Sequence, residues 1–133
     1  MILIIYTDGG ARRNPGPAAI GVVIGDKKYG EYIGKTTNNV AEYQAVIFAL
    51  KKARQLIGKT KAKETNLEIR SDSQLMINQL NGKYKIKDEK LKPLFVEIWN
   101  LKQDFKSVIF KQIPREENQQ SDKLVNVTLD NLL

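Results

Sequence analysis

The sequence predicts an α/β fold: a five-stranded mixed sheet, three antiparallel strands followed by two parallel ones, flanked by helices on both faces. Three observations carry this expectation. Short apolar runs in the first third of the chain are joined by hairpin chemistry at Gly25-Asp26-Lys27-Lys28, which makes successive strands antiparallel. The apolar period then changes from strand-like to helical at Val40. Beyond that point the remaining strand patterns are separated by helices, and strands joined by helical crossovers within one sheet run parallel with right-handed connections.

The elements follow in order. Residues 2 to 7 form an apolar run that reads as a buried strand, with further strands over 18 to 25 and 29 to 36. Val40, Tyr43, Val46 or Ile47, Leu50, Ala53 and Ile57 recur at helical spacing until Gly58, which supplies a stop. Residues 59 to 65 read as a charged loop, and 66 to 72 as a strand in which Leu67 and Ile69 alternate with polar neighbours. A short helix over 73 to 80 ends at Asn81-Gly82, and a basic link follows. Leu91, Leu94, Phe95, Ile98, Leu101 and Phe105 mark another long helix, with Pro93 placed near its start or splitting it. The last strand spans 107 to 113, and Leu124, Val125, Leu129 and Leu132 give a closing helix. The expected sheet sets the first strand beside the fourth. Ligands in such sheets collect beyond the carboxyl ends of the strands where the order reverses.

At 133 residues the expectation is one domain over 1-133, since a second core would be too small to stabilise itself. There is no apolar stretch of membrane-spanning length, and the opening "MILIIYTD" is too short for a signal peptide. With no cysteine in the chain, disulfides and thiolate metal sites are excluded, which fits a reducing compartment. A cytoplasmic, monomeric protein with no membrane association is expected. Lys and Arg total 22 against 15 Asp and Glu. That excess favours a polyanionic partner, nucleic acid first, and it equally fits a lysine-rich surface that keeps the chain in solution.

Four acids stand apart by position. Asp8 is expected to end the first strand and Asp72 the fourth, Glu42 lies one turn into the first long helix, and Asp122 sits at the start of the last. Each has a structural explanation of its own. Asp8 with Gly9 and Gly10 could be a plain turn, Asn39 and Glu42 have capping-box spacing, Asp72 could be an N-cap, and Asp122 could complement a helix dipole. Together they fall at ends that the topology brings to one edge of the sheet. Two like charges about 4 Å apart repel by about 4 kcal/mol at an effective dielectric near 20, so such a cluster calls for cations. Oxygen-only ligands suit Mg²⁺ or Mn²⁺, while zinc prefers the His and Cys this chain does not possess. A pair of such ions is the arrangement used for in-line displacement at phosphodiesters, so an acid cluster on a basic chain suggests a nuclease.

The segments "YTDGGARRNPGPAAIGVVI", "TTNNVAEYQAVIFAL", "IRSDSQLMINQLNG" and "IPREENQQSDKLVN" resemble, in order and spacing, the four signature segments of the type 1 ribonuclease H family. The resemblance spans nearly the whole chain. It implies a ribonuclease H-like fold and an endoribonuclease that hydrolyses the RNA strand of RNA/DNA hybrids with two Mg²⁺ ions, Mn²⁺ as substitute, leaving 5′-phosphate and 3′-hydroxyl ends. Asp8, Glu42, Asp72 and Asp122 would be the catalytic and metal-binding quartet. Gly9 and Gly10 would let the RNA backbone approach. Asn14, Asn39 and Gln74 match the family's minor-groove contacts, amides able to bond 2′-hydroxyls and base edges. Thr37 matches the residue that helps hold a DNA-strand phosphate. Asn14 before Pro15 and Asn39 at a helix start also suit turn and cap roles.

The chain departs from that pattern in three places. Many relatives carry a histidine in the loop before the last acid, where this chain reads Ile113-Pro114-Arg115-Glu116-Glu117-Asn118. Arg115 is the stand-in, and it stays protonated, so its role would be electrostatic or in product release. Glu116 or Glu117 would instead perturb a metal. Some relatives insert a basic handle where this chain has only the short link with Lys83, Lys85 and Lys87, which reads either as a reduced handle or as a solvated lysine run. No separate hybrid-binding domain precedes the first strand in the sequence, so weak, salt-sensitive substrate binding is expected. Trp99, between Ile98 and Leu101, is expected in the core, and Tyr84, between lysines, at the surface. A nuclease preferring double-stranded RNA and a non-catalytic hybrid-binding module are the rival readings.

Overall fold

The computed structural model describes residues 2–132, so the expected domain limits, residues 1 and 133, lie outside the described residues. Strands β1 (Ile2–Ala11), β2 (Gly16–Ile24) and β3 (Lys27–Thr36) form the antiparallel meander. Helix α1 (Asn38–Ile57) then leads through a short helix α2 (Lys59–Ala62) to β4 (Asn66–Ser71), α3 (Gln74–Leu80), α4 (Lys92–Lys102), β5 (Ser107–Gln112) and α5 (Gln119–Asp130). The sheet order is β3-β2-β1-β4-β5, with β1–β4 and β4–β5 parallel. The first strand therefore lies beside the fourth, as the connections require.

Local chemistry explains the boundaries. The hairpin between β2 and β3 is tighter than expected, two residues, with Gly25 at φ 60 supplying the left-handed turn position. Pro93 occupies the first turn of α4, where its missing N–H costs nothing. Phe105 lies three residues past the end of that helix and is buried all the same. Helix α2 falls in the segment expected as a charged loop. Its single buried residue, Ala62, is too little apolar signal to register as a period.

The core is a layer between the sheet and α1. Ile5, Leu67, Ile69 and Phe110 from the strands meet Tyr43, Val46, Ala49, Leu50 and Ala53 of α1, with Met76, Leu91 and Ile98 completing it. Trp99 is not in this core. It is 52 % exposed, because the buried row runs from Leu91, just before α4, to Ile98 within it, and Trp99 lies one residue round from that row. Tyr84 is exposed, as expected.

Helix α5 covers the opposite face over β1, β2 and β3. It comes close because Gly21 and Gly30 sit side by side in the register beneath it. A Cβ on Gly21 would lie 2.1 Å from the Ser121 carbonyl oxygen, and one on Gly30 would lie 2.6 Å from Thr128 Oγ1. Gly21→Ala is therefore expected to lift α5 from the sheet and to cost about 2–3 kcal/mol, measured as a lower urea midpoint with unchanged m-value. An unchanged midpoint would show that α5 is not held at that distance.

Candidate active site

The strand register determines where the acids meet. The last paired rung of β1 with β4 is Tyr6↔Arg70; two residues further along the chain from it come Asp8, still within β1, and Asp72, the first residue past the end of β4. Asp8 does not end β1. The strand continues through Gly9 and Gly10 to Ala11, with Asp8 opposite Gly21, so these glycines form no turn. At Gly9 the missing side chain serves close packing instead. A Cβ there would lie 2.3 Å from the carbonyl carbon and oxygen of Ala41, and this contact sets the first turns of α1 against the strand.

Glu42 is not part of a capping box. Thr37 is the N-cap of α1, its Oγ1 accepting from Val40 N at 3.2 Å, and the helix begins before Asn39. The Glu42 carboxylate is free to reach the strand, where Oε1 accepts the Gly9 N–H at 2.8 Å. Nor does Asp72 cap α3, because Ser73 takes that position and its Oγ accepts from Met76 N. The carboxyl of Asp72 is left to face the cavity. Asp122 stands in the first turn of α5, as expected.

Asp8, Glu42 and Asp72 each offer a carboxylate oxygen, and those oxygens lie within 4.8 Å of one another. Such a trio could hold a metal ion. Asp122 is not part of that mutually close set, but it sits near enough to Asp8 to push its carboxyl up and lines the same cavity of about 330 Å³, together with Gly9, Gly10, Arg12, Asn38, Arg115 and Asn126. Burial, then Asp72 and Asp122, push the Asp8 carboxyl up to about 8 from its ordinary 3.8. Glu42 is pushed well above its ordinary value by burial and then by Asp8 and Asp72, against the pull of the Gly9 N–H and Arg115. Asp72 is raised by burial, with Arg115 pulling it down and Asp122 pushing it up. The cavity is thus short of positive charge. Arg115 reaches Asp72 only at 4.0 Å with its side chain 88 % exposed, a pair that solvent screens heavily.

The other expected contacts distribute unevenly. Asn14, Thr37, Asn39 and Gln74 are not among the described residues lining the acid cavity. Asn14 Oδ1 accepts from Asn38 N at 2.9 Å, and the Asn38 side chain in turn accepts from Ala11 N at 2.7 Å, so the loop after β1 is pinned to the start of α1. The Thr37 hydroxyl is engaged as the helix cap. Asn39 lines a separate groove with Tyr84 and the link lysines. Gln74 opens α3. Glu116 does not line the acid cavity; it borders two other depressions, one with Gln119 and Ser121 and one with Gln119 and Asp122.

Three further residues contribute to the site with little signal in the sequence. Asn118 is 1 % exposed; its Nδ2 donates to the Thr7 carbonyl at 2.9 Å, its Oδ1 accepts from Ser121 Oγ, and its side chain lies close enough to Asp72 to pull that carboxyl down. It ties β1, the end of β4 and α5 together directly beneath the acids. Arg12, on the cavity wall, pairs with Asp130 at 2.6 Å and fastens the loop after β1 to α5. Asn38 was overshadowed by its neighbour Asn39. A polar residue inside a polar loop carries no periodic signal, and only the motif context of Asn118, four residues before Asp122, pointed toward it.

The strand order and the acids at the switch point define a ribonuclease H-like protein. A reverse transcriptase-like family model matches residues 6–128. A bifunctional protein of Mycobacterium tuberculosis is 35% identical over 98% of this chain, which spans 36% of that protein. The chain therefore covers about a third of the length of the mycobacterial relatives it matches. The ribonuclease H1 of Halobacterium salinarum superposes at TM-score 0.90 with 36% identity, over 99% of this chain and 100% of that one. A ribonuclease H1 isolated from compost, solved in complex with an RNA/DNA hybrid, superposes at TM-score 0.90 with 46% identity, over 96% of each chain. The chain belongs to the type 1 ribonuclease H family.

Proposed function

We propose that this chain is an endoribonuclease that hydrolyses the RNA strand of RNA/DNA hybrids by a two-metal-ion mechanism, leaving 5′-phosphate and 3′-hydroxyl ends. The observation that carries the reading is the trio of carboxylate oxygens from three separate elements, within 4.8 Å of one another, with Asp8 and Glu42 raised in pKa by burial and by the neighbouring acids. The donor set is oxygen alone, in a chain without His or Cys, and it fits hard divalent ions. Asp8, Glu42, Asp72 and Asp122 would hold two Mg²⁺ ions, with Mn²⁺ as substitute, which when bound supply Lewis-acid charge to the attacking and leaving oxygens of the phosphodiester.

The chain's own residues bind and orient. Asn118 keeps β1, Asp72 and α5 in register, so the acids are presented without rearrangement. With no imidazole in the chain, no side chain of the site serves as a histidine base. Arg115 adds a permanent positive charge at the rim, suited to holding or releasing a phosphate. Gly10 leaves the cavity floor open to the RNA backbone, and Asn14, Asn39 and Gln74 offer amides for 2′-hydroxyls and base edges. Thr37 would meet a DNA-strand phosphate at the start of α1.

The whole acid site comes from a single chain, which supports a monomer acting as one catalytic domain. The lack of cysteine supports a cytoplasmic setting, and no described helix is long and apolar enough to cross a membrane. The test is a strand-labelled cleavage assay on hybrid, RNA duplex and single-stranded RNA of one sequence, with and without Mg²⁺. RNA fragments from the hybrid alone, only with Mg²⁺ and with the DNA strand intact, are expected. Equal cutting of RNA duplex would make the protein a double-stranded RNA nuclease. Tight hybrid binding without product would make it a binding module.

A further inference from the structure

A buried polar pair lies outside the lining of the acid cavity, although its tyrosine follows Glu42 directly on α1. Tyr43 of α1 is 1 % exposed and Gln79 of α3 is 5 % exposed. The Tyr43 hydroxyl donates to Gln79 Oε1 at 2.6 Å, and Gln79 Nε2 donates to the Lys85 carbonyl at 3.2 Å. Burying two polar side chains in an apolar layer costs free energy unless each is satisfied, and an apolar pair would fill the space as well. The contact they make together is with the backbone of the link.

That link, from the end of α3 to the start of α4, contains no helix or strand. The N–H groups of Lys83 and Tyr84 bond to the Asn78 carbonyl at its near end, and Ile86 packs against the core. Among the described residues, the Gln79 bond is the side-chain hydrogen bond that fixes Lys85 itself. Lys85 and Lys87 stand exposed on either side of the half-buried Ile86. With Lys83, Tyr84 and Asn39 they line a groove of about 640 Å³ whose floor includes Gln79.

We infer that Tyr43 and Gln79 are positioning residues for substrate grip: their buried hydrogen bonds hold the link so that Lys83, Lys85 and Lys87 are already arranged toward the phosphate backbone of a bound duplex. This rests on the hybrid reading above. A free lysine-bearing segment would lose backbone and side-chain entropy on binding, and fixing it in the unbound protein removes that cost in advance.

The double variant Tyr43→Phe with Gln79→Leu tests this. It removes both polar partners, leaving no buried donor or acceptor without a mate between them, so the fold survives. At moderate salt KM for the hybrid is expected to rise roughly tenfold with kcat within about twofold of wild type. The slope of log KM on log salt is expected to fall by about one, the change that accompanies removal of one ordered lysine–phosphate interaction. Tyr43→Phe alone, which keeps the Gln79 bond to Lys85, is expected to give a smaller KM rise in the same direction. A merely structural pair would lower the melting temperature and leave the salt slope untouched. Unchanged KM and salt slope in either folded variant would overturn the inference while the hybrid reading stands. A wild-type protein that does not cleave hybrids would overturn both.

Discussion

Asp8→Asn is expected to lower hybrid cleavage at saturating Mg²⁺ by on the order of a thousandfold or more, and at the same time to raise the melting temperature of the metal-free protein. Both effects have one cause. Asp8 lies in the strand between Asp72 and Asp122, buried, with its carboxyl pushed up to about 8 from 3.8. An acid whose folded-state pKa exceeds its unfolded value binds its proton more tightly in the native chain. The stability it contributes is therefore present at low pH and lost as pH rises from about 4 toward about 8. Each unit in that interval corresponds to about 1.4 kcal/mol, so even part of the span is a large share of a net stability of about 5–15 kcal/mol. Asn fills the same space without the charge. The variant's advantage in melting temperature should be small near pH 4, reach at least about 5 °C by pH 8, and shrink when Mg²⁺ is added, because the cation stabilises only wild type. Melting curves from pH 4 to 8 in chelator and in Mg²⁺ measure this. A wild-type midpoint that does not fall across that range would show that burial and the neighbouring acids do not hold the Asp8 carboxyl above its ordinary value, and the cation requirement would lose its physical basis.

The parts of this architecture that repeat were legible in the sequence. Apolar alternation over β4, helical spacing over α1 and the chain order of strands and helices are periodic, and periodicity fixes which side of an element is buried. A hairpin sheet continued through helical crossovers then sets β1 beside β4. What could not be read depends on single residues with two physical uses. Gly9-Gly10 reads as a turn because glycines usually punctuate chains, yet here both extend a strand, and α1 approaches Gly9 too closely for a Cβ. Thr37, Asn38 and Asn39 are all good cap residues; the choice of Thr37 is what leaves the Glu42 carboxylate available to the site. Trp99 follows Ile98, and an exposed tryptophan beside a buried isoleucine cannot be told from the reverse by hydrophobicity alone. Asn118 was hidden for the opposite reason: its burial depends on three elements that meet only in the folded chain.

Gly9→Ala and Gly10→Ala, adjacent and chemically identical substitutions, are expected to fail in different ways. At Gly9 the new methyl would lie 2.3 Å from the Ala41 backbone and 2.6 Å from Glu42 N, atoms that move only if α1 moves. The cost is expected to be about 3 kcal/mol or more. The N–H that holds the Glu42 carboxylate would shift with it, so cleavage should fall even in the folded fraction. At Gly10 the methyl would meet only Val125 Cγ1 at 3.6 Å, an ordinary contact. An alanine there restricts the unfolded chain, so stability should hold or rise by about 0.4–1 kcal/mol. If the RNA backbone passes over this strand, the Gly10 methyl stands where it must pass, and KM for the hybrid should rise about tenfold or more with the fold intact. Urea melts and hybrid kinetics on both variants separate the two roles. A Gly10→Ala protein with wild-type KM would move the substrate path off β1, whereas a Gly9→Ala protein of wild-type stability would contradict the packing of α1 on which the placement of Glu42 depends.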